Sequence, residues 1–291
     1  MAIPGSAIVV HGGAGRLGPE HREAVLDGCR RAAAAGRALL DDGGGALDAV
    51  QAAVRVLEDD PLFNAGRGGV LRSTGGIELD ASLMDGSGQR AGAVAAVRSL
   101  ANPICGARAV LEDGRHVLMV GPEAEDFLHS SGLPRCDPGM LVTAAQARRW
   151  HESFGTVGCV ALDARGNLAA GTSTGGKFGD LPGRVGDSAI IGAGTWADAT
   201  AAVSCTGHGE AIMRAAVAVR AADEMARGAS VQTAARRALS GLRRLAGEGG
   251  LIALRRDGRI ACACNSEHMP VCVAYPSGWI GARVVRRRTR A

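Results

Sequence analysis

Aromatic side chains are scarce, at 3% of 291 residues, although hydrophobic residues make up 46%. A core with so few rings has to be assembled from closely packed Ala, Val, Leu and Ile. Single-stranded nucleic acid would also find few stacking surfaces. Long apolar runs are missing too: no stretch approaches the roughly 20 residues of a membrane span. The opening "MAIPGSAIVVHGG" has neither a basic leader nor an apolar run long enough for a secretory signal. We therefore expect a cytoplasmic protein with no membrane partner. The eight cysteines contain no C-x-x-C pair, and Cys262 and Cys264, two apart in a strand-like run, face the same way. Reduced thiols packed as small apolar groups account for them most simply. Nor does charge of one sign dominate. The net charge is +4, but "RVVRRRTRA" holds five arginines (Arg283, Arg286, Arg287, Arg288, Arg290), without which it falls to −1. A solvated tail explains that excess better than a nucleic-acid surface, which needs basic residues spread over a folded face.

Glycine, by contrast, is abundant, at 44 residues. It lets backbone approach backbone or ligand and tolerates positive φ, which suits a turn-rich sheet protein with a site made partly of main chain. "SAIVVHGGAG" reads as a buried strand entering a glycine loop, and Val25, Cys29, Ala32, Ala33, Gly36 and Leu40 then recur at helical spacing. A second helix is expected over Ala46 to Glu58. "GGVLRSTGGIELDASLMDG" reads as a hairpin turning at Thr74 to Gly76, and "NPICGARAVLEDGRHVLMVG" as a helix delivering a strand. Periodicity fades from Cys136 to Phe154, an exposed connection. Strands are expected over Thr156 to Asp163 and Leu168 to Thr174, and "GLIALRRDGRIACACNS" repeats that hairpin. Helices over Glu210 to Arg227 and Val231 to Ala246 lie between them, the second capped by Ser230. No linker or repeat divides the chain, so one α+β domain spanning 1–291 follows.

"ESFGTVGCVALDARGN" raises the chemical question. A threonine hydroxyl is a weak nucleophile at neutral pH and needs a base, which for threonine can be its own N-terminal amine. Thr156 is internal, but cleavage of the Gly155–Thr156 bond would create that amine, and Gly155 offers little obstruction to the attack. A strand beginning abruptly on Thr156 is then a strand that begins a mature subunit.

The surrounding segments carry a resemblance. "VVHGGAG", "GGGALDAV", "LEDDPLFNAGRG", "IELDASLMDG", "AGAVAAV", "ANPI", "GTVGCVALDARGNLAAGTSTGG", "PGRVGDS", "IIGAGTWAD", "CTGHGEAI" and "GGLIAL" run in order along nearly the whole chain. The sequence resembles the plant-type L-asparaginase and isoaspartyl peptidase family, threonine members of the N-terminal nucleophile hydrolases. The resemblance implies an α+β fold built as a four-layer αββα sandwich. It implies autoproteolysis into an α subunit (1–155) and a β subunit (156–291), assembled as a homodimer of αβ units. It also implies hydrolysis of L-asparagine and of β-aspartyl dipeptides, with no organic cofactor and no nucleic-acid partner.

Carried over position by position, Thr156 is the nucleophile, Thr174 contacts its hydroxyl, and Thr172 lies nearby in the same strand. Residues 172 and 174 share one face of a strand paired to the one beginning at Thr156. Arg184 and Asp187 hold the substrate α-carboxylate and α-amine, a zwitterion clamp of charge-assisted bonds. Thr206 and Gly207 form the oxyanion hole, directly before a helix. Asn64 lies near the new Thr156 amine and Gly209 beside the substrate ammonium. The loop from Leu57 to Arg67 binds a structural sodium ion through the carbonyls of Leu57, Glu58, Asp60, Phe63, Ala65 and Arg67. His11 and His208 resemble general bases, but a free Thr156 amine makes them unnecessary and leaves them as structural or wall groups.

Three stretches depart from the family. The connection before Thr156 is short and not lysine-rich. "KFGDLPGRVGD" puts Phe178, Gly179 and Asp180 beside the clamp, where relatives often carry Asn-Lys. Trp196 stands where tyrosine is frequent. We expect Phe178 to give an apolar wall and Asp180 to disfavour an acidic leaving residue. Two alternatives keep the fold: an uncleaved, catalytically silent binding protein, and a sister hydrolase acting on glycosylated asparagine or a protein target. The presence of Thr156, Thr174, Arg184, Asp187 and Thr206 argues against the first; the lack of long insertions argues against the second.

Overall fold

A computed structural model of the chain describes residues 5–143, 155–276 and 280–287, and it is a mixed α+β structure with two sheets. The larger sheet has the order β12-β11-β1-β5-β6-β2-β3-β4 and the smaller β10-β9-β8-β7. Their strands are β1 (Ala7–His11), β2 (Leu79–Asp85), β3 (Arg90–Val97), β4 (Leu118–Val120), β5 (Val157–Leu162), β6 (Leu168–Thr174), β7 (Thr195–Ala197), β8 (Ala201–Gly207), β9 (Gly249–Arg255), β10 (Ile260–Cys264), β11 (His268–Ala274) and β12 (Ile280–Arg286). All pairings are antiparallel except β3 with β4.

Strand periodicity sorts the buried residues into three clusters. Ile8, Val10, Leu79, Ala81, Leu83, Val157, Cys159 and Ala161 share one cluster with the apolar faces of α1 (Arg22–Asp41), α2 (Ala46–Asp59) and α3 (Pro103–Asp113). Their neighbours along the same strands, Ala7, Val9, Met84, Val160, Leu162, Leu168 and Ala170, cluster instead with Ala202, Ile252 and Leu254 of the smaller sheet. The opposite side of the smaller sheet, Ala201, Val203, Cys205, Leu251 and Ala253, packs with α7 (Val217–Ala226) and α8 (Val231–Arg244). Small side chains permit close approach. A Cβ on Gly36 of α1 would stand 2.7 Å from the Ala49 carbonyl of α2.

Local signals set the element ends. α3 begins on Pro103 and ends at Gly114, whose left-handed conformation returns its N–H to the Val110 carbonyl. Ser230 caps α8 by accepting from the Thr233 N–H at 3.2 Å. Two short helices, α4 (Gly121–Ser130) and α5 (Pro138–Leu141), precede residues 144–154, so most of the expected connection before Thr156 lies outside the described residues.

Three expectations need correction. The helix expected over Glu210 to Arg227 is broken at Ala216, which adopts φ 47° between α6 (Gly209–Ala215) and α7. The Ala193 and Gly192 carbonyls take the Ala218 and Val219 N–H groups at 3.0 Å each, which fixes a new helix start there. The hairpin expected to turn at Thr74 to Gly76 keeps its turn, bridged by Leu71 and Ile77, but β2 goes on to pair with β3 and β6. The C-terminal arginines are not all in a tail. Arg283 and Arg286 belong to β12, an edge strand paired with β11, where their charge guards an open edge.

Candidate active site

The layer between the sheets changes character along its length. Toward one end it is hydrocarbon; at the other, the same inward-facing strand positions carry His11, Ser82, Thr172, Thr174, Ser204 and Thr206, all buried. Thr156 immediately precedes β5, one residue before the strand starts, and is 6% exposed; the pairing of Val157 with Ser173 places Thr156 across from Thr174.

The hydroxyls at this end form a chain. Ser82 Oγ donates to Thr195 Oγ1 at 2.7 Å or to the Ser188 carbonyl at 2.6 Å. Thr195 Oγ1 donates to Thr172 Oγ1 at 2.5 Å, Thr172 hydrogen-bonds with Ser204 Oγ at 2.8 Å, and Ser204 Oγ with His11 Nε2 at 2.9 Å. Burial drives the His11 imidazole down to about 3, against an opposing contact with the Thr156 backbone, so the ring is neutral. The Thr156 hydroxyl hydrogen-bonds with Ser188 Oγ at 3.3 Å. The chain therefore begins and ends beside Thr156. His11 is buried, neutral and bonded to Ser204, and Ser82, Ser188, Thr195 and Ser204 are additions to the residues singled out by motif.

Gly155 sits in a slot in which a Cβ would stand 2.8 Å from Thr206 Oγ1 and 2.9 Å from the Ala14 carbonyl. Opposite, Gly13 adopts φ 107°, and a Cβ there would be 2.5 Å from the Gly155 carbonyl oxygen. Thr206 Oγ1 accepts from the Ala14 N–H at 3.0 Å, and Gly207 follows with φ 136°. Thr174 Oγ1 accepts from the Gly176 N–H at 3.1 Å. Asn64 donates from Nδ2 to the Gly176 carbonyl at 2.7 Å and accepts from the Val70 N–H at 3.0 Å, which ties its loop to the end of β6.

Arg184 and Asp187 converge around Gly209. A Cβ on Gly209 would stand 2.7 Å from Arg184 Nη2 and 2.9 Å from Asp187 Oδ1, so a larger residue would fill the space between cation and carboxyl. Burial pushes Asp187 up to about 7, with Arg184 opposing, and among the described residues its Oδ2 is buried without a hydrogen bond. The loop carrying the pair is held by β2 and the residue before it. Glu78 accepts from the Gly183 N–H at 2.8 Å, and Asp80 from the Gly186 N–H at 3.1 Å. Both carboxylates and Ser82 alternate on one face of "ELDAS", a signal readable as polar residues at period two inside a buried strand.

Asp180 is held by neighbouring groups of the clamp. Its Oδ2 accepts from the Lys177 N–H at 2.9 Å and lies 3.4 Å from Arg72 Nη1 and 3.3 Å from Arg184 Nε, so its charge is committed inward. Leu181, 73% exposed, is an apolar side chain presented by that loop, and Phe178 is half-buried.

In the loop from Leu57 to Arg67, a Cβ on Gly66 would be 2.6 Å from the Glu58 carbonyl oxygen and 2.8 Å from that of Ala101. A Cβ on Gly68 would overlap the Phe63 carbonyl oxygen. Glycines thus let this loop pack closely against the carbonyls of Glu58, Phe63 and Ala101, while the Asp60 and Ala65 carbonyls accept from the Phe63 and Gly68 N–H groups at 3.1 and 3.0 Å. The Glu58 side chain turns away from them, accepting from Ser173 Oγ at 2.7 Å and the Ile104 N–H at 3.0 Å.

A family model described as asparaginase matches residues 4–154 and 151–279. The chain is 45% identical over 280 residues to the isoaspartyl peptidase/L-asparaginase of Mus musculus, covering 90% of this chain and 86% of that protein. It is 43% identical over 284 residues to the protein of the same name from Homo sapiens, covering 92% of each. It is also 40% identical over 292 residues to the isoaspartyl peptidase of Escherichia coli (strain K12), covering 91% of each.

Proposed function

The chain belongs to the asparaginase family, and on that premise we propose that it hydrolyses L-asparagine to aspartate and ammonia and cleaves β-aspartyl dipeptides, with Thr156 as nucleophile after autoproteolysis. One observation carries the reading: Thr156 leads straight into a buried strand, directly after a glycine locked in a slot between Gly13, Ala14 and Thr206. In this reading the Thr156 hydroxyl attacks the Gly155 carbonyl, the C–N bond breaks as the nitrogen takes a proton, and water hydrolyses the resulting ester. The products are a Gly155 carboxylate and a Thr156 amine. Single-chain residues 1–155 and 156–291 thereby become two subunits of one domain.

The freed amine is the base for the second reaction. It takes the hydroxyl proton as Oγ1 adds to the side-chain carbonyl of asparagine and returns a proton to the departing ammonia; water, deprotonated by the same amine, then hydrolyses the aspartyl ester, releasing aspartate and restoring the Thr156 hydroxyl. Thr206 and the Gly207 N–H hold the developing oxyanion. Arg184 and Asp187, with Gly209 leaving room between them, fix the substrate α-carboxylate and α-ammonium. Thr174 lies across from the nucleophile, and Asn64 keeps the neighbouring loop in place.

The three-cluster packing supports a four-layer αββα sandwich of the N-terminal nucleophile type. Glycines 66 and 68 support a structural sodium ion held by the carbonyls of Leu57, Glu58, Asp60, Phe63, Ala65 and Arg67, fixing the loop that carries Asn64. The protein works without an organic cofactor, as a homodimer of αβ units, and no helix among the described residues is long and apolar enough to cross a membrane. Eight free cysteines support a cytoplasmic setting.

Intact-mass analysis of purified protein tests the reading: two fragments meeting at Gly155–Thr156, together with ammonia release from asparagine, are expected. A single inert chain would overturn it.

The Asp187 carboxyl adds a pH signature. It must be ionised to hold the substrate ammonium, and burial raises it to about 7 in the free protein. Protonation as pH falls through that value weakens binding, so kcat/KM should drop on the acid side of about 7, mainly through KM. In Asp187→Asn the part of that limb carried by KM should vanish together with most of the affinity, while the limb in kcat set by the Thr156 amine remains. An unchanged acid limb in KM in the variant would assign the titration elsewhere.

A further inference from the structure

A β-aspartyl dipeptide carries one more carboxylate than asparagine, on the residue that leaves. Its two carboxyl carbons are separated by six bonds, roughly 7 Å when extended, and the inner one is matched to Arg184. Glu210 lies immediately outside that pair. Its Oε1 accepts from Nε and Nη2 of Arg184 at 3.1 and 2.9 Å, an approach from the side of the guanidinium.

The other oxygen is different. Among the described residues Glu210 Oε2 is buried without a hydrogen bond, although Lys177 Nζ stands 3.9 Å away and His208 Nε2 3.3 Å away. One carboxylate therefore separates an inner cation, 16% exposed, from two outer groups with side chains 51% and 43% exposed. Lys177 follows Thr174 by three residues at the end of β6, and His208 follows Thr206 by two at the end of β8. Both loops leave their strands at the end where Thr156 begins. Lys177 is also the single lysine of the chain, the other 32 basic residues being arginine. Its ammonium is a compact point charge on a flexible stem, able to follow a departing carboxylate where a planar guanidinium would hold it in one geometry.

We propose that Lys177 and His208 form an outer carboxylate site that receives the α-carboxylate of the leaving residue of a β-aspartyl dipeptide, with Glu210 keeping this site distinct from Arg184. The assignment rests on the amidohydrolase reading above. It replaces the expectation that Asp180 repels acidic leaving residues, because Asp180 is already committed to Arg72 and Arg184.

The test compares kcat/KM for β-Asp-Leu and for β-Asp-leucinamide, which lacks only the outer carboxylate. The parent is expected to favour the free acid by about fivefold at low salt, the range for an exposed charge pair reinforced by a second group. That preference should shrink as ionic strength rises. Lys177→Gln should reduce it to about twofold or less, and Lys177→Glu should favour the amide. A parent ratio of one, or an unchanged ratio in Lys177→Gln, overturns the outer site while leaving asparagine hydrolysis intact. Absence of activity on asparagine and both dipeptides would instead bring down the amidohydrolase reading, and the outer site with it.

Discussion

Thr156→Ala is expected to remain one uncleaved chain and to lose at least about 10⁴-fold in asparagine hydrolysis. The substitution removes the attacking oxygen from both reactions, so maturation and turnover fail together. It should nevertheless fold, because the side chain lies among buried polar groups and its hydroxyl contact with Ser188, at 3.3 Å, is long. Circular dichroism and intact mass on the same sample separate folding from chemistry. Maturation at the same bond in this variant would identify another nucleophile. Thr156→Ser offers the complementary check: it keeps the oxygen, and should both mature and turn over, more slowly.

Arg184→Ala should mature yet hydrolyse asparagine poorly, because the guanidinium is distant in role from the scissile Gly155–Thr156 bond. Loss of a charge-assisted contact costs about 1.5–3 kcal/mol, or roughly ten- to a hundredfold in kcat/KM. The upper end is expected here. Removing Arg184 leaves Asp187 and Glu210 beside the site without their shared cation, and in their ionised forms they would repel the incoming α-carboxylate. Arg184→Lys should recover little, since an ammonium cannot satisfy Glu210 and Asp180 along one edge while presenting the other edge to substrate. Parent-like kcat/KM in Arg184→Ala would remove the carboxylate-binding role.

Both residues are singled out in the sequence by the family resemblance, which gives meaning to local patterns that are weak alone: a threonine at an abrupt strand start, an arginine and an acid three apart in a glycine-lined loop. Strand pairing of β5 with β6 was legible from local pattern. The hydroxyl chain was not. It joins His11 to Ser204, 193 positions away, and Ser82 to Thr195, 113 positions away; only the stacking of two sheets brings them together. The helix break at Ala216 was hidden because alanine favours helix, and the competing carbonyls belong to residues 192 and 193. β11 and β12 were obscured by Pro270 in one and arginines in the other, features that suggest loop and tail but are tolerated toward a sheet edge.

Active-site polarity usually opposes stability, so that a lineage released from catalysis drifts toward greasier, firmer packing. The buried hydroxyls joining β2, β6, β7 and β8 work the other way. Each is a partner of the next, and replacing any one by an apolar residue takes a hydrogen bond from its buried neighbours. A descendant that had given up hydrolysis would therefore be expected to keep Ser82, Thr172, Thr195 and Ser204 while losing Thr156 or Arg184. Those four would outlive the chemistry as molecular fossils, and their presence in a distant homologue would record ancestry rather than activity.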